Sequence, residues 1–382
     1  MMSRRDRLMA TLRGEPVDRP AVNFYEVGGF DVDPSDPDEF NVYNDPSWQP
    51  LLELAEGQSD LIRMRSPAKS RCHEVDAGSP RGEFFVTEEY VEGGCRCRRV
   101  TLTIAGRTMT SLTRRRPDAD TIWTIEHLLK STDDLKAYLE LPDEVFAEDI
   151  DVTGLIEEDR KLGDRGIVMV DTEDPLCAAA SLFNMADYTV IALTEQKLFH
   201  QLLEKLSGHI HARTEKTAIE FPGHLWRIYG PEYAAEPYLP PYLFAEYVVR
   251  YTGPMVETIQ RHGGFARVHC HGRIRAVLDY IVEMGPTAID PIEPPPQGDM
   301  DLAQVRREYG ERLVLFGNIE YADIENTEPA QFKRIIQKSL SDGTQSRGKG
   351  FVLMPSSAPI GRKVTPQVLA NYETMVRLAT ST

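Results

Sequence analysis

The sequence predicts an α/β chain that folds as a closed (β/α)8 barrel. Short apolar runs alternate along the chain with longer stretches in which apolar residues recur every three or four positions. Such alternation implies a parallel sheet with helices packed against it. Eight apolar runs in 382 residues match the strand number of a barrel. A doubly wound open sheet is the alternative, but it requires a glycine-rich phosphate loop after an early strand, and the sequence has none.

The eight predicted strands are spread over the whole chain. They cover residues 21–25, 59–65, 166–171, 225–230, 266–270, 287–292, 312–317 and 350–355. Between them, residues 242–263 and 273–285 have the clearest helical spacing, and a glycine stands where the second of these helices should end.

One region, residues 83–124, departs from this alternation. It is rich in Val, Thr and aromatic residues, and Gly93-Gly94 and Ala105-Gly106 are turn signals. We expect β-hairpins inserted after the second strand, over the barrel mouth, where insertions form lids or bind partners. A helix capped near Ser131 should follow. The chain is therefore predicted to form one domain over residues 1–382, with an elaborated rim.

Composition narrows the class of function. A net charge of −17 disfavours nucleic acid or an anionic membrane surface as the partner, since both require basic patches. Neither a bilayer-spanning apolar stretch nor a secretory signal is visible in the sequence. Five cysteines are too few and too scattered for a disulfide framework, so we expect reduced thiols and a cytoplasmic location. A small molecule is the expected substrate.

Two histidines and a glutamate follow adjacent predicted strands. His269 and His271 are two positions apart, so they should project to one side while Cys270 turns away. Glu293 lies 22 residues beyond His271, at the end of the neighbouring strand. Because active sites of parallel barrels lie at the carboxyl ends of the strands, these three side chains are predicted to hold Zn²⁺ or Fe²⁺. The alternative is a pair of neutral rim histidines bonded to backbone or water, with Glu293 in solvent.

Other polar residues at strand ends are candidates for catalysis or substrate binding. The catalytic candidates, which supply acid, base or positioning groups, are Asp171, Glu173, Glu232 and Asn318. The substrate-binding candidates are Arg63, Arg65, Tyr25 and Tyr229. The two arginines alternate along the second strand, where we expect both to face the cavity and bind a carboxylate or phosphate. Each candidate has an alternative as an ordinary surface or turn residue.

Segments along most of the chain carry a family resemblance. Residues 3–22 form a charged helix followed by a G-x-x-x-D-R-P turn, and the likeness continues in residues 121–138, 238–263, 268–272, 309–320 and 349–376. These segments resemble the uroporphyrinogen decarboxylase superfamily. The resemblance implies a (β/α)8 barrel, in agreement with the strand count.

The resemblance departs from the true decarboxylases of that superfamily. Those enzymes bind substrate carboxylates with an early arginine-rich R-Q-A-G-R signature, and they carry a histidine in a late G-H-G-like loop. Here residues 23–34 read NFYEVGGFDVDP and residues 355–361 read PSSAPIG, without arginine or histidine. Because a pocket for several carboxylates requires cations, a role in haem biosynthesis is not expected.

A second branch of the superfamily, the zinc-dependent methyltransferases, is more similar. Its signature is H-x-C at a strand end, an acidic residue further on in some members, and a cysteine in the last strand's loop. The matching positions here are His269, His271, Glu293 and Ser356 or Ser357. Imidazole and oxygen thus replace sulfur, which implies a more electrophilic metal that polarises an oxygen better than it activates a thiol.

The resemblance therefore implies a metal-dependent methyltransferase or demethylase that acts on a small O-methyl substrate. A corrinoid or a folate is the implied methyl acceptor, a corrinoid protein the implied partner, and a homodimer the implied assembly. One alternative is a cofactor-free decarboxylase or lyase whose carboxylated substrate is anchored by Arg63 or Arg65. Another is a non-catalytic barrel that binds a ligand or protein through its rim.

Overall fold

The structure is a computed structural model that describes residues 2–70, 80–345 and 348–381. Cys72 lies outside these ranges, and the cysteines within them, Cys95, Cys97, Cys177 and Cys270, are free thiols. Among the described helices, none combines the length and the apolar character required to cross a membrane.

Strands and helices alternate through most of the described chain. The strands are β1 (Ala21–Val22), β2 (Leu61–Arg65), β3 (Ala68–Ser70), β4 (Phe85–Glu92), β5 (Cys95–Ile104), β6 (Arg107–Arg115), β7 (Ile122–Glu126), β8 (Asp149–Asp151), β9 (Gly166–Glu173), β10 (Leu225–Tyr229), β11 (Phe265–His269), β12 (Ala288–Asp290), β13 (Val314–Ile319) and β14 (Phe351–Pro355). The helices are α1 (Arg4–Arg13), α2 (Gln49–Gln58), α3 (Thr132–Leu139), α4 (Thr153–Leu162), α5 (Pro175–Ala180), α6 (Met185–Thr194), α7 (Gln196–Glu220), α8 (Pro241–Phe244), α9 (Arg250–Arg261), α10 (Leu278–Glu283), α11 (Leu302–Tyr309), α12 (Tyr321–Asn326), α13 (Pro329–Thr344) and α14 (Pro366–Thr380).

Eight strands form one curled parallel sheet. Their order is β1-β14-β13-β12-β11-β10-β9-β2, and each neighbouring pair is parallel. Every strand that the sequence predicts is present in this sheet, so the prediction of an α/β chain with a parallel sheet is confirmed. The carboxyl ends of all eight strands consequently lie at one edge, where the candidate site residues were expected.

Asp60 joins the two edge strands of the sheet. No hydrogen-bonded ladder links β1 to β2 in the described residues, but the Asp60 backbone N–H donates to the Val22 carbonyl at 2.6 Å. The Asp60 carboxylate, fully buried, accepts from the Val22 N–H at 2.8 Å and from the guanidinium groups of Arg7 at 2.6 Å and Arg19 at 2.8 Å. Asp60 therefore satisfies both backbone hydrogen-bonding groups of Val22, where the edge strands β1 and β2 meet.

Side chains of the sheet separate into two buried layers because successive strand residues point to opposite faces. The inner layer holds apolar residues such as Ile62, Met64, Met169, Phe316 and Met354. Residues at the alternate positions, including Val168, Ile228, Val268, Leu315 and Leu353, pack in the larger cluster that contains the helices. The inside of the curled sheet is thus a packed apolar floor below the strand ends.

Residues 85–126 form a separate four-stranded antiparallel sheet in the order β4-β5-β6-β7. The turns fall at Gly93-Gly94 and at Ala105-Gly106, where all four residues have positive φ. The helix that follows, α3, begins after Ser131, whose side chain accepts a hydrogen bond from the Asp134 N–H.

The predicted helix over residues 273–285 is shorter in the structure. Only Leu278–Glu283 is helical. Arg273 forms a β-bridge with Glu236, and the Arg275 N–H donates to Asp299 Oδ1 at 3.1 Å. Because the backbone of these residues is held outside a helix, α10 begins later than the apolar spacing indicated.

Asp60→Ala is expected to destabilise the protein by about 3–5 kcal/mol, since it leaves the buried Arg7 guanidinium with only part of its charge partners. The matched control is Asp159→Ala, which removes the partly exposed pair with Arg5 and should cost less than about 1 kcal/mol. Urea unfolding measures both free energies of unfolding. Equal losses in the two variants would contradict the assigned role of Asp60.

Candidate active site

Two imidazole rings lie together at the end of β11. His269 is the last residue of the strand and is 4% exposed, whereas the side chain of His271 is 38% exposed. The ring centroids are 4.5 Å apart, and the ring planes are nearly perpendicular, at 88°. Cys270 between them is buried in the outer cluster with the helices. One histidine therefore lines the interior, and the other reaches solvent at the mouth of the curled sheet, which is the edge where its strands end.

Each imidazole has its own carboxylate partner from the next strand or the loop after it. His269 Nδ1 lies 2.8 Å from Asp290 Oδ2, and His271 Nδ1 lies 2.9 Å from Glu293 Oε1. Glu293 Oε2 also accepts from the Gly272 N–H at 2.6 Å. Within the described residues, Nε2 of neither ring has a hydrogen-bond partner. Both rings are oriented through Nδ1, which leaves the Nε2 atoms available to a ligand.

The two histidines have pKa values displaced in opposite directions. Burial lowers the pKa of His269, although the neighbouring Asp290 partly opposes that effect. Burial also acts to lower the pKa of His271, but the hydrogen bond and charge of Glu293 outweigh it and raise the value. At neutral pH, His269 is therefore the neutral ring, and His271 is the ring that holds a proton more readily. Opposite displacements of this kind separate base from acid.

Two arginines and two aspartates form a buried charged layer below and beside the His269 ring. Arg227 on β10 donates to Asp171 Oδ1 at 2.6 Å and to Asp171 Oδ2 at 3.1 Å, and it also donates to the Tyr25 hydroxyl. Arg267 Nε lies 3.0 Å from Asp290 Oδ1 in an ion pair that lacks hydrogen-bond geometry. Positive and negative groups balance in this layer, so burial leaves no net charge in it.

Glu320 and Ser356 follow the next two strands, β13 and β14. Ser356 Oγ donates to Glu320 Oε2 at 3.4 Å, while Oε1 of the same carboxyl is buried without a partner. Burial raises the pKa of Glu320 to about 7, and the nearby Glu293 adds to this increase. The carboxyl ends of β11 to β14 therefore present His271, Glu293, Glu320 and Ser356 in a row.

Comparison with known proteins places this chain in a family. A model described as uroporphyrinogen decarboxylase (URO-D) matches residues 119–377, more than half of the chain. The chain belongs to the uroporphyrinogen decarboxylase family. The family prediction made from the sequence is thereby confirmed. No curated protein matches the sequence.

One solved structure shares the fold of this URO-D family member, and a second matches part of the chain more weakly. A methyltransferase from Methanosarcina mazei is similar over 100% of this chain and 99% of that chain, with a TM-score of 0.58 and 14% identity. A D-psicose 3-epimerase with D-tagatose, from Clostridium cellulolyticum H10, matches 61% of this chain and 94% of that chain, with a TM-score of 0.33 and 8% identity. At these identities, the first match establishes a common architecture.

The expected three-donor metal site is not assembled in the described part of this URO-D protein. Those residues contain no group of three or more His, Cys, Asp or Glu side chains arranged to hold a metal ion. Glu293 instead binds the His271 ring and the Gly272 N–H. The two Nε2 atoms nevertheless suit a divalent cation, because metal-bound histidines commonly have Nδ1 fixed by a carboxylate. Ligation by His269, His271 and Glu293 stays a prediction.

Several other candidates lie in or around the charged layer. Asp171 and Tyr25 both contact Arg227, and the Arg227 guanidinium carbon lies 5.3 Å from the centroid of the Tyr229 ring. Glu173 pairs with Arg213 of α7 at 3.0 Å. Glu232 Oε2 accepts from the Gly230 N–H at 3.0 Å. Three candidates thus contact one arginine, whereas Glu173 is paired with Arg213 and Glu232 with the nearby Gly230 N–H.

The expected orientation of Arg63 and Arg65 was wrong. Ile62 and Met64 occupy the inner face of β2, so the two arginines lie on its outer face. Arg63 Nε donates to Glu158 Oε1 at 3.1 Å, and Arg65 donates to the Gly29 carbonyl at 2.8 Å. Neither guanidinium faces the interior of the curled sheet, because the alternate apolar residues fill that side.

Asn318 is also directed away from the histidines. Its Oδ1 accepts from the Ser339 hydroxyl of α13 at 2.9 Å, on the helical side of the sheet. A role for Asn318 in positioning a substrate oxygen at the mouth has no support in this contact.

Sequence reasoning missed Arg227, Arg267, Asp290 and Glu320. The arginines stand inside apolar runs, LWRIY and ARVH, at positions that share a face with Leu225 and Phe265. A charged residue on the inner face of a buried strand requires a partner, which was the available signal. Glu320 gave a weaker signal, since many strands are followed by an acidic residue.

The buried carboxyl of Asp174 allows the effect of burial on a pKa to be tested through the pH dependence of stability. Asp174 is fully buried and accepts from the Cys177 N–H at 2.7 Å and from the Thr252 hydroxyl at 2.9 Å. Burial raises its pKa to about 8, with Glu232 adding to the effect. The folded protein therefore binds this proton more tightly than the unfolded chain does. Its contribution to stability should be present at low pH and be lost as the pH rises from about 4 to 8.

Asp174→Asn should remove this contribution. The difference in free energy of unfolding, wild type minus variant, is expected to fall steadily between pH 5 and pH 8, as measured by urea denaturation. Asp31→Asn, whose side chain is 90% exposed in the wild type, is the control and should give a flat difference. A flat difference for Asp174→Asn would show that this carboxyl is ionised throughout.

Proposed function

We propose that this URO-D family member is a metal-dependent methyltransferase that removes a methyl group from the oxygen of a small substrate. The observation that carries the proposal is the pair of carboxylate-oriented imidazoles, His269 with Asp290 and His271 with Glu293, both with Nε2 free of protein partners in the described structure. The full-length similarity to a chain described as a methyltransferase supports the choice of branch.

His269 and His271 would hold the divalent cation, Zn²⁺ or Fe²⁺, through Nε2. A bound divalent cation supplies Lewis acidity toward an oxygen. The chain's own contribution begins with the tautomer: the pKa of Asp290 lies at about 2, because Arg267 and His269 outweigh the effect of burial. An ionised carboxylate can only accept a hydrogen bond, so Nδ1 of His269 carries the proton and Nε2 keeps its lone pair.

The charged layer and the apolar floor below it close the site on the interior side. Met64, Met169, Phe316 and Met354 belong to the buried apolar cluster inside the sheet, and the Arg267 guanidinium carbon lies 4.8 Å from the centroid of the Phe316 ring. Substrate and methyl acceptor must therefore enter from the mouth, where His271 is exposed. The acceptor is a nucleophile, for which a corrinoid or a folate is our proposal, and the corrinoid would arrive on a partner protein at the same edge.

A cofactor-free carboxy-lyase is the second candidate. The observation that favours it is the His271–Glu293 pair, which raises the pKa of an imidazole at the mouth and so offers a proton to a carbanion. Against it, the arginines expected to anchor the substrate carboxylate face outward, and the interior Arg227 is already paired with Asp171. The methyltransferase proposal requires no further cation in the chain.

The test compares bound metal and methyl transfer in matched variants. His269→Ala and His271→Ala should each lose stoichiometric zinc or iron and the transfer of methyl groups from aryl or alkyl methyl ethers to a reduced corrinoid. His127→Ala, which removes an imidazole beside the Ser181 carbonyl, is the control and should retain both. Glu293→Gln should weaken metal binding by roughly 10- to 100-fold if Glu293 orients His271.

Two results would overturn the proposal. One is full metal content in the double variant His269→Ala, His271→Ala. The other is release of carbon dioxide from a carboxylated substrate by metal-free protein that transfers no methyl group, which would establish the second candidate.

A further inference from the structure

Tyr25 has a backbone conformation that an aromatic residue rarely adopts. It follows β1, and its φ of 59° lies in the left-handed region, which is disfavoured for a residue that carries a Cβ. Strain of this kind persists where the surrounding contacts enforce it, and it clusters at functional sites. A reason for the strained backbone is therefore expected among the contacts that Tyr25 makes.

Hydrogen bonds at both ends of Tyr25 hold the residue in place. Its backbone N–H donates to Asn23 Oδ1 at 2.8 Å, and the Asn23 side-chain amide donates to the Asp60 carbonyl at 3.0 Å. At the other end, Arg227, which is paired with Asp171, donates to the Tyr25 hydroxyl. The buried tyrosine is thus fixed between the junction of β1 with β2 and the buried charged layer.

The ring that is held in this way lies alongside the face of the His269 ring. The two centroids are 6.1 Å apart and the planes differ by 18°, an offset parallel arrangement within the distance range of interacting aromatic pairs. Asp290 binds the imidazole at Nδ1, at 2.8 Å, and the perpendicular His271 ring lies 4.5 Å away. A single hydrogen bond at Nδ1 still allows the imidazole to tilt about the line that joins the two bonded atoms. Tyr25 supplies the contact that runs parallel to the ring plane.

We propose that Tyr25 is a positioning residue that fixes the plane of the His269 ring and thereby the direction in which Nε2 meets a divalent cation. This inference rests on the proposed function, which assigns the cation to Nε2 of His269 and His271. The lone pair of Nε2 lies in the plane of the imidazole, so a tilt of the ring turns the lone pair away from the point that both histidines can share. A ring that is already held loses less conformational freedom when the cation binds, which favours affinity.

The zinc affinity of matched variants tests the consequence for metal binding. The dissociation constant for Zn²⁺ is measured by competition with a chromophoric chelator. Tyr25→Leu, which removes the stacked ring, should weaken binding by roughly 10- to 100-fold, as is usual when a group that orients a ligating histidine is lost. Tyr25→Phe keeps the ring and loses only the hydroxyl, so it should bind zinc almost as tightly as the wild type. An equal loss in Tyr25→Phe would assign the effect to the contact with Arg227 and overturn the role of the ring.

Tyr188→Leu is the matched control for the loss of a buried aromatic ring. Tyr188 is also buried, and its hydroxyl donates a hydrogen bond to the Tyr233 carbonyl at 2.8 Å, but it lies on α6. Thermal unfolding should show that both leucine variants lose stability, whereas only Tyr25→Leu should lose zinc affinity. A loss of affinity that accompanies the loss of stability in both variants would leave Tyr25 with a structural role only.

The metal-free protein provides a second measurement. The Nδ1 proton of His269 is enclosed between the ring and Asp290, so NMR should detect it in slow exchange with water in the wild type. The signal should be lost to exchange in Tyr25→Leu, because the ring can then tilt away from the carboxylate, and it should be retained in Tyr25→Phe and Tyr188→Leu. A signal that persists in Tyr25→Leu would contradict the inference.

The two measurements separate this inference from the proposed function. A wild type that binds zinc no more tightly than Tyr25→Leu would overturn the role of Tyr25 alone. A wild type that binds no divalent cation would overturn the proposed function. In that case, the His269 proton of the metal-free protein would still decide whether Tyr25 holds the ring.

Discussion

The ion pairs of Asp290 are the interaction on which the site depends. This carboxylate is fully buried on β12 and is held between the guanidinium of Arg267 and the ring of His269, both on the neighbouring β11. The parallel register places His269 directly beside Asp290, so the contact follows from the pairing of the two strands. Removing the negative charge would leave Arg267 buried without its partner, at a cost of several kcal/mol. The orientation of the His269 ring is therefore tied to the integrity of the sheet.

His269 and His271 have different environments because they lie at different depths in the protein. His269 ends the strand inside the curled sheet, where burial favours the neutral ring. His271 lies two residues further on, where the Glu293 carboxylate comes from a loop and the ring reaches solvent. The difference in depth therefore gives two side chains of the same type different acid–base properties. The buried charged layer carries no net charge, because the charges of its two arginines, Arg227 and Arg267, are balanced by those of Asp171 and Asp290.

The sequence was enough to predict the strands and the alternation of side chains along them. It was not enough to predict which set of side chains on each strand faces the interior of the sheet. The alternation of side chains along a strand correctly predicted that Cys270 points away from His269 and His271, into the cluster that contains the helices. It grouped Arg63 with Arg65 equally well but could not tell that Met64, not the arginines, faces inward. Asn318 is bound by Ser339, a partner on a distant helix turn that no local pattern indicates. Facing is decided by tertiary packing, which a single strand does not encode.

Under the proposed function, the negative charge of the metal site would lie behind the imidazole rings and not on the ligand atoms. In a thiolate site the charge lies on the ligand atoms themselves, whereas here Asp290 and Glu293 hold it on the far side of the two rings. Under the proposed function, a cation at Nε2 would be compensated only across the width of an imidazole, and Coulomb attraction falls with that distance. The cation would then keep more of its charge for the substrate. Such a site suits a ligand that needs polarising, which is an ether oxygen, better than a thiol that needs to stay nucleophilic.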